Sequence, residues 1–187
     1  MNINDYISLA TQTESQINNV SFHKDTLLNI MKLHILSGTL LDNIKKNIFY
    51  NKPISDDWDN ILTKILPLTK EIASLDDINQ LSSETININP RIFHSAVGIA
   101  TEGTELVEAL YNSISDNVEL DTVNVLEEIF DVFWYQLIAH DAINANIENT
   151  LNIGFDKLRK RYPEKFTSDS AINRNLEAER EILENII

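Results

Sequence analysis

The chain has 187 residues, of which 43% are apolar and 24% charged, the balance of one globular domain or of one domain with a helical extension. Asp and Glu total 29 against 15 Lys and Arg, and the net charge of −14 repels nucleic acid backbones and anionic lipid. There is no cysteine, which excludes disulfides, Cys-type zinc sites and a thiol nucleophile, and no apolar run approaches the ~18 residues of a membrane span.

Gly and Pro number only four each, so long helices are expected rather than many strands and tight turns. The opening stretch MNINDYISLATQTE lacks the basic and apolar regions of a signal peptide, so the expected compartment is the cytoplasm. A weakly amphipathic helix is predicted over 5–20. A second, over 22–50, places Leu27, Ile30, Met31, Ile35, Leu40, Ile44 and Ile48 at three- and four-residue steps. Asn51-Lys52-Pro53 ends it, because proline disfavours helix in the residue before it. A third helix starts at Ser55 or Asp56 and runs toward Leu75, with Pro67 expected to kink or divide it. Residues 80–90 read as a polar linker.

A fourth helix is predicted over 91–113 and a loop over 115–117. Asp121 or Thr122 then caps a fifth helix that reaches Ala145. A sixth spans 147–161 and stops at Tyr162-Pro163, and a last helix starts near Ser170. The expected fold is an all-α bundle of antiparallel hairpins. Its domains are a helical N-terminal region, 1–85, and a second region, 86–187.

Glu102, Glu105 and Glu108 recur at three-residue spacing in the fourth helix, and Glu128 and Asp131 in the fifth. Residues three apart share a helix face, so antiparallel pairing would bring the two sets together. Carboxylates so placed repel unless cations neutralise them, and hard oxygen ligands suit Mg²⁺ or Mn²⁺. The alternative is a solvated acidic face, common in so acidic a chain. The flanking Val97, Ile99, Leu106, Leu126, Ile129, Val132 and Phe133 place these acids beside apolar stripes instead. Glu127 points about 100° away from Glu128 and reads as solvated.

The blocks HSAVGIATEGTELVEAL, LEEIFDVFWY, KLRKRYPEKF and NRNLEAER, within 91–182, resemble the MazG-like all-α NTP pyrophosphohydrolases. That family pairs E-x-x-E with E-x-x-D some twenty residues on. Here 22 residues separate Glu105 from Glu128. The resemblance implies a Mg²⁺-dependent hydrolase that cuts a nucleoside triphosphate to a monophosphate and pyrophosphate. It implies Glu102, Glu105, Glu128 and Asp131 as metal ligands and Glu105 as the acceptor of the water's proton. It gives Lys157, Arg161, Tyr162 and Arg174 to the substrate. Lys157 and Arg161 could equally be a basic helix end, and Arg174 a surface residue of the last helix.

Two positions depart from the family pattern. Gly154 stands where many members carry Asn, and Phe130 stands where Gly precedes the Asp of the second motif. Trp134 and Tyr135 match the family's W-Y and read as core packing, with base stacking as the alternative. His94 reads as a packed or capping histidine. The N-terminal half echoes the C-terminal half in HILSGTLLDNIKKNIFYNKPI and DNILTKILPL, but with Leu36, Thr39, Lys64 and Pro67 at the acidic positions. Such a copy would be a scaffold without a metal site, as in the related dimeric dUTPases; an unrelated helical extension is the alternative.

The expected partners are a nucleoside triphosphate and further copies of the chain, as a dimer or tetramer, with no nucleic acid and no membrane. The alternatives are a selective dUTP or dCTP pyrophosphatase, and a catalytically silent helical nucleotide-binding or assembly protein.

Overall fold

Short polar side chains set most helix ends. In the computed structural model, which describes residues 2–55, 57–75 and 77–184, Asn2 caps α1 (Ile3–Thr13) by accepting from the N–H groups of Asn4 and Asp5. The Asp5 carboxylate accepts from the Asn2 N–H at 2.7 Å and completes a capping box. His23 opens α2 (Lys24–Tyr50), and Asn51 closes it in the left-handed conformation, φ 53°. α3 spans Trp58–Ala73. Asn89 caps α4 (Pro90–Asp116), whose first residue is proline, a position that lacks an N–H partner in any case. Asp121 caps α5 (Thr122–Ala142). α6 spans Ile147–Arg161; Thr167 and Asn175 cap α7 (Ser168–Ile172) and α8 (Leu176–Leu183).

The fold is all-α, as the scarcity of breakers predicts. Its one sheet among the described residues pairs two three-residue strands, β1 (Val20–Phe22) and β2 (Glu84–Ile86). No helix among the described residues is long and apolar enough to cross a membrane.

The chain forms two compact units. Among the described residues the first holds 2–20 and 87–154, and the second 21–86 and 155–184. In the first, α4 packs along α5, and α1 lies on α5. Its core gathers Ala10, Leu137, Ile138 and Ile147, with Ile3, Ile7, Phe133 and Trp134 packed against them. Arg91 grips the buried Glu14 with Nε at 2.8 Å from Oε1 and Nη2 at 2.7 Å from Oε2, and Nη2 also reaches Asp141 at 2.7 Å. In the second unit α2 packs on α3 and touches α7.

Several expected boundaries move. Helix does not continue to Val20: α1 stops at Thr13, and Val20 enters a strand. The linker over 80–90 holds β2, after a 3-10 turn over Ile78–Gln80. The expected loop over 115–117 is helical through Asp116, and Asn117, φ 53°, makes the turn. The last helix is two, parted at 173–175. The residue before α3 is Asp57 rather than the expected Ser55, and its side chain does not cap the helix; the other expected cap, Asp56, lies outside the described residues.

Pro67 does not divide α3. An interior proline costs about 3 kcal/mol, and the burial of Ile61 and Leu68 on either side offsets it. The apolar stripe of α2 is the larger surprise. Its periodicity marks the helix correctly, yet Ile30, Met31, Ile35, Ile44 and Ile48 are exposed.

Candidate metal centre

The hairpin of α4 and α5 decides which carboxylates meet. Its turn is pinned at both ends. Ser113 Oγ donates to the Val118 carbonyl at 2.8 Å, and the Asp121 carboxylate accepts from the N–H groups of Val123 (3.0 Å) and Asn124 (3.2 Å). Farther along, Gly98 lets the Tyr135 ring lie against the α4 backbone. These two fixed points set the register between the helices.

In that register Glu102 and Glu105 of α4 converge with Glu128 of α5. Each offers a carboxylate oxygen, and the three oxygens lie within 4.8 Å of one another. Opposite ligands of a six-coordinate Mg²⁺ are about 4 Å apart, so the oxygens sit on the scale of one coordination shell. Glu105 is exposed, Glu102 half-buried and Glu128 buried. Burial pushes the Glu128 carboxyl above its ordinary range, and the neighbouring charges of Glu105, Glu102, Glu127 and Asp131 push it the same way.

Asp131 stands outside the three converging oxygens, although its charge is felt at Glu128 and at Tyr135. Burial, and then Glu102 and Asp131, hold the Tyr135 phenol above its usual value. Thr101 Oγ1 donates to the Gly98 carbonyl at 2.9 Å and lies 3.4 Å from Glu102 Oε1.

An open cavity of about 260 Å³ runs from Glu105 and Glu128 toward the hairpin turn. Glu108, Asn112, Glu119, Asp121 and Asn124 line it, and no Lys or Arg does among the described residues. Asn112 and Asn124 escaped the sequence reading. Asn112 lies two turns after Glu105 and Asn124 one turn before Glu128, so helical spacing from the acids could have found both.

Three rings of the hairpin pack on one another. His94 meets Trp134 and Tyr135 edge-on at 6.2 and 5.3 Å, and Trp134 Nε1 donates to Thr13 Oγ1 at 3.0 Å. Phe130 is exposed.

The four remaining candidates lie in the second unit. Lys157 is half-buried on α6. Arg161 ends that helix and binds Glu179 through Nε at 2.8 Å and Nη2 at 2.6 Å. Its guanidinium sits 5.6 Å from the centre of the Tyr162 ring. Arg174, between α7 and α8, binds the same carboxylate at 2.5 Å. Arg161, then Arg174, holds buried Glu179 down to about 2. No sequence pattern marked Glu179, because its partners are 18 and five residues away on other elements.

Neither a family model nor a curated protein nor a solved structure matches the chain.

Proposed function

We propose that the chain is a metal-dependent nucleoside triphosphate pyrophosphohydrolase of the MazG-like kind. The observation that carries this reading is the convergence of Glu102, Glu105 and Glu128. Three carboxylates, one of them buried, are held where they repel, and no basic side chain lines the adjoining cavity among the described residues. Evolved cores keep such groups together when a cation joins them. The donor set is all carboxylate oxygen, which fits Mg²⁺ or Mn²⁺ and not the softer metals. The ions, once held by these residues, would neutralise phosphate charge and supply an acidified water.

The chain's own residues then have separable tasks. Glu128 and Glu102 are fixed by burial and by the hairpin register, so they position. Glu105 is exposed and free to take a proton from the attacking water. The water's oxygen bonds to the α phosphorus, and the bond from that phosphorus to the α–β bridging oxygen breaks. The products are a monophosphate and pyrophosphate. Asp131 is proposed as a fourth acid at the centre, on the resemblance. So are Lys157, Arg161, Tyr162 and Arg174 as groups for the triphosphate. Self-association is part of the proposal, supported by the exposed Val123, Leu126, Ile129 and Phe130 of α5.

The test is pyrophosphate release from a panel of NTPs and dNTPs with Mg²⁺ or Mn²⁺. Metal-dependent release is expected, about 10²–10⁴-fold lower in Glu105→Gln. Rates indistinguishable from that variant on every nucleotide would sink the hydrolase and leave a silent binding protein.

A further inference from the structure

Acids outnumber bases by 29 to 15 in the chain, yet one groove reverses the balance. It encloses about 400 Å³ within the second unit. Lys45 and Lys46 of α2 and Lys52, just after it, line it together with Arg161 and Arg174. The one lining carboxylate among the described residues is Asp42, which Lys45 binds at 2.6 Å and Lys46 also binds. Glu179 holds the two arginines in place. Five cations against these two carboxylates leave a surplus of three positive charges.

A structural explanation accounts for part of this. Arg161 ends α6, where a cation offsets the helix dipole, whereas the last turn of α2 holds no basic residue. That dipole is worth about half a charge, so it covers only part of one of the three. No further carboxylate lines the groove among the described residues to match the rest. Like charges gathered in a partly enclosed groove repel unless an anion joins them.

The walls suit a compact ligand. Tyr50 and Tyr162 line the groove and carry phenolic donors. Both rings pack on Phe166, at 5.6 and 5.4 Å, which ties α2 to the segment after α6. Glu179 fixes the guanidinium groups before any ligand arrives, so little rotamer freedom is lost on binding.

We infer that this groove is a binding site for a compact polyphosphate anion, either free or as the tail of a nucleotide. The inference deepens the reading above and rests on it for Arg161, Tyr162 and Arg174; what it adds is Lys45, Lys46 and Lys52, which lie outside the region that carries the family resemblance.

Calorimetric titration of the full chain in EDTA at moderate salt tests it. Tripolyphosphate is expected to bind saturably, more tightly than orthophosphate and more weakly as salt rises. Lys45→Glu with Lys52→Glu should weaken it at least about tenfold, and the Gln pair by less. Lys45 is exposed and Lys52 half-buried, so neither change enters a core, and circular dichroism checks that the variants fold. Equal affinity for tripolyphosphate and a nucleoside triphosphate supports a site for the free anion; tighter nucleotide binding supports the tail. Absence of saturable binding, or an unchanged affinity in the Glu pair, overturns the inference. So does loss of binding in Glu105→Gln, which would put the anion at the carboxylates. Because EDTA removes the metal, this result is separable from failure of the hydrolase.

Discussion

The Tyr135 ring lies so close to Gly98 that a methyl group on that glycine would sit 2.2 Å from Tyr135 Cε1. Side chains do not tolerate such a distance. The contact fixes how α4 and α5 meet one turn from Glu102, so packing and candidate chemistry share one register.

Gly98→Ala should therefore destabilise the protein by about 1–3 kcal/mol, the usual cost of overpacking. Urea unfolding measures it. Adding Tyr135→Ala should make Gly98→Ala nearly silent, since the obstructing ring is gone. A full penalty in that background would show that the cost lies elsewhere.

Divalent metal should stabilise the fold through the three glutamates. At a hundred times the dissociation constant the gain is about 2.7 kcal/mol, read as a rise in thermal midpoint. Glu128→Gln should lose most of that rise. In EDTA at neutral pH it should melt above the parent, because it removes a buried charge among like charges. The sign follows from the raised carboxyl of Glu128. A proton bound more tightly in the folded state favours folding at acid pH, and that advantage fades as pH rises through the raised value. The gap between variant and parent should close on acidification.

Glu179 should give the opposite pH dependence. Its carboxyl sits at about 2, below the ordinary 4.5, so its contribution is complete above 4.5 and is lost as pH falls toward 2. Glu179→Gln should cost about 3 kcal/mol at neutral pH, since two arginines lose their shared partner. Its stability should also be flatter through that acid window.

Arg91 offers a comparison within one cluster. Glu14 keeps 3% of its side chain exposed and Asp141 keeps 40%, and both bind the same guanidinium. Arg91→Met should cost about 3 kcal/mol by leaving Glu14 buried without a partner, whereas Asp141→Asn should cost less than about 1 kcal/mol. Equal losses in denaturant unfolding would overturn this ranking.

What the sequence made legible follows from what is local. α6 has the predicted bounds because periodicity and Tyr162-Pro163 both act within a few residues. Spacing of three found Glu102, Glu105 and Glu128 for the same reason. That Pro67 leaves α3 undivided could not be read locally, because the burial of Ile61 and Leu68 depends on packing against other elements. The strands at Val20 and Glu84 were missed because each is short and completed only by the other. The α2 lysines drew no notice, since their charge gains meaning only beside Arg161 and Arg174.

The alternation of segments between the two units has a consequence for synthesis. The chain enters the first unit, leaves it at 20, returns at 87 and leaves again at 154. Trp134 is bonded to Thr13 across 121 positions of sequence. On a ribosome, α1 emerges early and must wait for α5, its neighbour in the core, while the residues of a different unit are made in between. The first unit cannot close before residues 87–154 are made, nor the second before 155–184, so the unpaired apolar side of α1 is the stretch on which a nascent-chain chaperone would act.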